Sequence, residues 1–231
     1  MVEHKILKLV WGVLGAFLTI LAIAMVLYPD KSGHIGGYSF FYEYISALGM
    51  TRTHQGSVNI VSCLLFNISL GVAMLVLIPF WYLRAKCING RLGIKMAAFV
   101  FCTCFSLGIF GVALTPYNLL AGLHDVSVYS ALAFIIPGCL IMIVCAENFY
   151  FPRSYKVVLV AFVLVVLLCE LVLQIMIIRH AMPVRPAGPI MQKVNVAIFV
   201  GWVVAELLLY GRYLRLTPKL QPVRDDAASV S

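Results

Sequence analysis

The chain has 231 residues, of which 63% are hydrophobic and 11% charged, with a mean hydropathy of +1.02 and a formal net charge of +8. Soluble domains carry roughly a quarter charged residues, so this composition excludes an ordinary water-soluble fold and points to the bilayer. The basic excess does not mark a nucleic-acid partner, because Lys and Arg gathered at the ends of apolar runs are accounted for by membrane orientation and headgroup contact.

A bilayer core about 30 Å thick is crossed by roughly 20 apolar helical residues. Six such runs follow one another, near residues 6–28, 56–83, 92–114, 120–146, 155–178 and 190–210. The alternating pattern of barrel strands is absent. The chain therefore reads as all-α, a single six-helix transmembrane domain over 1–215 with a polar tail over 216–231.

The first run follows Lys5 and Lys8 and passes a signal-peptidase-like Ala22-Ile23-Ala24. It continues through Tyr28, beyond the roughly 7–15 apolar residues of a signal core, and so reads as a span. A long polar loop over 29–55 comes next. Its stretch Tyr38-Ser39-Phe40-Phe41-Tyr42-Glu43-Tyr44 suits the membrane interface, or a lid over the bundle. Glu43, Tyr44, Ser46, Arg52 and His54 are the loop's candidate polar residues. His124-Asp125 opens the fourth run. Pro137-Gly138 inside it is expected to kink the helix and free a carbonyl. The fifth run contains Glu170 and, one turn later on the same face, Gln174. Arg179, His180 and Arg185 follow it. In the last run, Gly201 and Ala205 form a small-xxx-small face expected to pack against a helix. Glu206 is expected to pair with a basic residue such as Arg84, Lys95 or Arg212. The seven cysteines show no CxxC pair and read as small packing residues.

With six spans, the N-terminus, the second and fourth loops and the C-terminus share one side. Twelve of the 17 Lys and Arg residues lie there and five on the other. Cytoplasmic flanks carry the excess, so both termini are expected in the cytoplasm and loops one, three and five outside. This parity brings the candidate residues Glu43, Ser46, His54, Asn118, His124, Asp125, Arg179 and His180 to one face. Ionisable groups at the membrane are costly and often functional, which puts His124-Asp125 first. The plain alternative is a carboxylate near a helix N-terminus beside a histidine at headgroup level. Glu170 reads either as a protonated, hydrogen-bonded acid or as a cation, proton or headgroup site.

Several short motifs occur in a familiar order. Ser46-Ala47-Leu48-Gly49 ends the long loop, Leu65-Phe66-Asn67 lies in the second run, Gly108 and Gly111 precede Thr115-Pro116, and His124 opens the fourth run. Nearly the whole chain thus resembles the bacterial and archaeal six-span family called domain of unknown function 998, itself distantly similar to the DRAM and Sfk-type membrane proteins. The resemblance implies the six-span topology and a multi-pass location in the cell membrane, and no reaction. The acidic residue usual within the family's Ser-x-Leu-Gly motif is Ala47 here, which speaks against a metal or proton role at that position.

Three functions compete. The favoured one binds membrane lipids, or an unidentified protein partner, through the outward polar cluster. A membrane hydrolase would use Ser46 or a water with His54, His124, Asp125 and His180. However, His-x-x-x-His and His-Glu-x-x-His are both absent, so no metal site is expected. A small-solute or proton transporter would use Glu170, Asp125 and the Pro137 kink. Retinal and haem are disfavoured: every lysine lies in a terminus, loop or span edge, and all histidines but His4 fall on one side. No cofactor is expected.

Overall fold

The computed structural model describes residues 2–30, 33, 35–145, 153–178 and 187–216, apart from a few side chains inside helices. Six α-helices follow in chain order: α1 (Val2–Val26), α2 (Ile60–Lys86), α3 (Leu92–Leu114), α4 (Tyr117–Val144), α5 (Arg153–Ile178) and α6 (Ala187–Leu216). They start and end close to the six apolar runs. A short 3-10 helix, Ile45–Gly49, stands between α1 and α2. Among the described residues, α1, α2, α3, α4 and α6 are long and apolar enough to cross a membrane.

The side chains on these helices are distributed inside out relative to a soluble bundle, where the outward stripe is polar. On α2 the exposed stripe is Val61, Leu64, Ile68, Val72 and Leu75, whereas Ser62, Ser69 and Arg84 are buried. α5 likewise turns Val157, Leu164, Leu168 and Leu171 outward. Only a hydrocarbon surround makes that arrangement favourable, and the chain is therefore a membrane protein.

Each helix packs against the next, and α6 returns to α1, so the six form a ring in chain order. Its tightest seam lies between α3 and α4. A Cβ on Gly108 would stand 2.9 Å from the Ala131 Cβ, and one on Gly111 2.7 Å from the Ser127 hydroxyl. By contrast, Gly201 is exposed with nothing near its Cβ position, so the expected helix contact is not made at Gly201, while Ala205 is half-buried. A small-xxx-small pattern marks a groove but does not supply the helix that fills it.

The helix α4 also departs from regular backbone angles at a point away from Pro137. Within α4 the residue with non-helical angles is Leu120, at φ −136° and ψ 48°. Pro137 removes a single hydrogen bond, which the helix accommodates. The turn at Pro116, whose carbonyl accepts from both the Leu119 and Leu120 amides at 2.9 Å, breaks the regular ladder.

At one end the ring is bridged by a buried polar network. The Arg84 guanidinium pairs with the Glu206 carboxylate, and its Nη2 donates to the Tyr155 oxygen at 3.0 Å. The Tyr155 hydroxyl donates to Glu206, as does the Trp202 indole at 3.2 Å. Of the three basic partners considered for Glu206, packing selects Arg84. An aromatic layer lies against this network. Trp202 stacks on Trp81 and Phe162 with ring centroids 5.2 Å away in each case, and the Trp81 indole donates to Ser106 at 2.9 Å.

Candidate functional site

The opposite end is closed by the 3-10 helix, which packs against α2, α4 and α6. A helix end leaves carbonyls without intrahelical partners, and burying them requires donors from elsewhere. α2 supplies those donors from one face of its first turns. Asn59 donates to the Leu48 and Met50 carbonyls at 3.1 and 2.8 Å, and Asn67 and the Cys63 thiol donate to Gly49 at 3.0 and 3.1 Å. Cys63 therefore does more than pack. Gly49 is required by this contact, since a Cβ there would stand 2.5 Å from the Asn67 side-chain oxygen. The Ser-x-Leu-Gly and Leu-Phe-Asn motifs thus meet in space.

From the other side, α6 holds the same segment. The Ile45 amide donates to Gln192 Oε1 at 2.6 Å, Gln192 Nε2 donates to Ser46 Oγ at 3.3 Å, and Lys193 donates to the Glu43 and Pro189 carbonyls. The Lys193 ammonium also faces the Tyr38 and Phe40 rings, 5.5 and 5.1 Å from their centroids. Burial, with the Glu43 carboxylate and Tyr28 beside it, pushes the Tyr38 phenol above its ordinary value. α4 adds Asn118, paired with Thr51 through 3.0 and 2.8 Å hydrogen bonds.

Between the 3-10 helix and the aromatic layer lies a cavity of about 230 Å³ to which all six helices contribute. Its body is apolar, lined by residues such as Phe17, Leu70, Met74, Val128, Phe199 and Val203. Among the described residues its polar side chains are Ser46, His124, Gln192 and Asn195, at the end closed by the 3-10 helix. Gln192 and Val203 are separated along α6 by about 16 Å at about 1.5 Å rise per residue. Apolar cavities of about 150 Å³ stay dry and take hydrocarbon guests, so a long slot with one polar end suits an amphiphile entering tail first.

His124 is buried, with Nδ1 2.7 Å from the Thr115 carbonyl. A carbonyl only accepts, so Nδ1 carries a proton, and in the neutral ring Nε2 is then the acceptor. Tyr117 packs edge-on against the same ring.

Of the sequence candidates, Ser46 and His124 line the cavity together, and Glu43 is buried on the segment that covers it. His54 and Asp125 are exposed and line no part of it. Asp125 follows His124 by about 100° of helical turn, which sends one side chain inward and the other out. The aromatic stretch does not itself roof the cavity. Ile45 and Ser46 do, while Phe40, Phe41 and Tyr42 are exposed. Arg179, His180 and Arg185, the side chains of Glu170 and Gln174, and residues 217–231 lie outside the described residues. Among the described residues no three His, Cys, Asp or Glu side chains gather as metal ligands would.

Sequence reading overlooked Gln192 and Asn195, although two amides three residues apart at the start of an apolar run are costly enough to signal a purpose. It also overlooked Asn59 and Ser62, which share a face with Asn67. No family model, curated protein or solved structure matches the chain, so its function is argued from its own residues.

Proposed function

We propose that this chain is a six-span protein of the cell membrane, with both termini in the cytoplasm, that binds a membrane lipid inside its helical ring with the lipid's polar end toward the outer face. The observation that carries this reading is the cavity, long and apolar, with the polar side chains among its described lining residues gathered at one end. The twelve-to-five distribution of Lys and Arg supports the orientation, and the short motifs shared with the six-span family support the topology.

Hydrolysis is less well supported. Ser46 takes its hydrogen bond from Gln192, and the His124 Nδ1 proton goes to a backbone carbonyl rather than to a carboxylate. Transport through Asp125 finds no path, because Asp125 lies on the outer surface of α4, away from the cavity.

Native mass spectrometry of protein extracted gently from its own membrane tests the reading. A bound lipid mass is expected in the wild type and in Asp125→Asn, and is expected to fall several-fold in His124→Ala. No bound species in the wild type, or equal retention in every variant, would reject a lipid site at this cavity.

A further inference from the structure

Resting on that lipid-site reading, we infer that the cavity selects a single aliphatic chain ending in an uncharged group that both donates and accepts hydrogen bonds, a hydroxyl above all, and excludes phosphate-headed lipids. Among the described residues, the side chains lining the cavity include no Asp, Glu, Lys or Arg. Lys193, a cation near its polar end, does not line it. Its ammonium is held by the Glu43 and Pro189 carbonyls and faces the Tyr38 and Phe40 rings. At the far end the Arg84 charge is taken up by Glu206. A phosphate drawn into this slot would lose its hydration without gaining a cation, and an unpaired buried charge is far costlier than a hydrogen-bonded neutral group.

The neutral rim matches a hydroxyl instead. Gln192 Oε1 and one of its amide hydrogens are engaged by Ile45 and Ser46, leaving its second amide hydrogen to donate. Ser46 accepts from Gln192 and keeps its own O–H as a donor. His124, with its proton on Nδ1, offers Nε2 as an acceptor. A hydroxyl can give its hydrogen to His124 and receive one from Ser46 or Gln192. A bare hydrocarbon satisfies none of these groups, so it leaves the rim's hydrogen bonds unmade.

The test uses the full chain in phosphatidylcholine nanodiscs, with decanol carrying a mid-chain diazirine as the photolabel and peptides mapped after irradiation. Label is expected on the cavity face, at residues such as Leu70, Met74 and Val200, and is expected to vanish in the slot-filling Val200→Trp. Unlabelled decanol is expected to compete at least about tenfold better than decyl phosphate or decane. Competition by the phosphate equal to that of the alcohol would overturn the headgroup inference while leaving a lipid site in place. Equal competition by decane would overturn the role of the neutral rim in the same way. Label confined to outward residues such as Leu64, Ile68 and Leu75 would overturn the site itself. Because the competition is measured on the wild type, the result does not depend on any variant folding.

Discussion

Arg84 and Glu206 are almost completely buried, at 1% and 0% exposure, on helices otherwise made of apolar residues. Their attraction offsets the desolvation of both charges only while both are present. Glu206→Leu is therefore expected to destabilise the protein by about 3–5 kcal/mol. The double variant Arg84→Met with Glu206→Leu is expected to recover most of that loss. Detergent-solubilised unfolding midpoints compare the two, and a double variant no better than the single would show that the pair is not the source of the effect. Here sequence reading went as far as charge and depth allow. Arg84, Lys95 and Arg212 all sit near the same end of the bundle, and only the packing of α2 against α5 and α6 distinguishes them. His124 and Asp125 show the same limit. Both were placed at the outer end, but neighbouring residues on a helix point in different directions, and which one faces inward depends on where α3 and the 3-10 helix lie.

At the scale of elements, the cover over the cavity is stabilised by a trade of hydrogen bonds between two segments close in sequence. The C-terminal carbonyls of the 3-10 helix have no ladder partner of their own, and the first turns of α2 carry Asn59, Ser62, Cys63 and Asn67 to meet them. Removing Asn59 and Asn67 together, as Asn59→Ala and Asn67→Leu, takes the side-chain donor from the Met50 carbonyl, at about 1–3 kcal/mol, and leaves the Leu48 and Gly49 carbonyls only the longer Ser62 bond and the weak Cys63 thiol donor. Backbone amides of residues 45–50 are expected to exchange with solvent faster in this variant, with the exchange of α3 unchanged. An exchange rate equal to wild type would mean that the α6 contacts from Gln192 and Lys193 hold the cover alone. The apolar runs located every helix, because their length and hydropathy are local properties. The 3-10 helix was missed, since a segment that short forms only when neighbouring chains satisfy its ends. The break at Leu120 was missed for a related reason: tertiary contacts around Thr115, Pro116 and His124 shape the start of α4.

For the whole molecule, orientation follows from where the basic residues lie along the chain, and a direct check is available. In intact cells, a membrane-impermeant maleimide is expected to label Gln55→Cys, on the long first loop, and to reach Asn89→Cys, between α2 and α3, only after permeabilisation. Both positions are exposed. The reverse pattern would invert the proposed topology and place the polar end of the cavity in the cytoplasm. Composition, hydropathy and basic flanks were enough to establish a helical membrane protein and to locate its apolar segments, because the length of an apolar run and its solvent preference are carried by the residues themselves. The ring, the cavity inside it, the choice of His124 over Asp125 and the recruitment of Gln192 and Asn195 were decided only by the tertiary structure. They depend on which faces of six separate helices turn toward a common axis, and a helix that is apolar all round leaves that rotation to its neighbours.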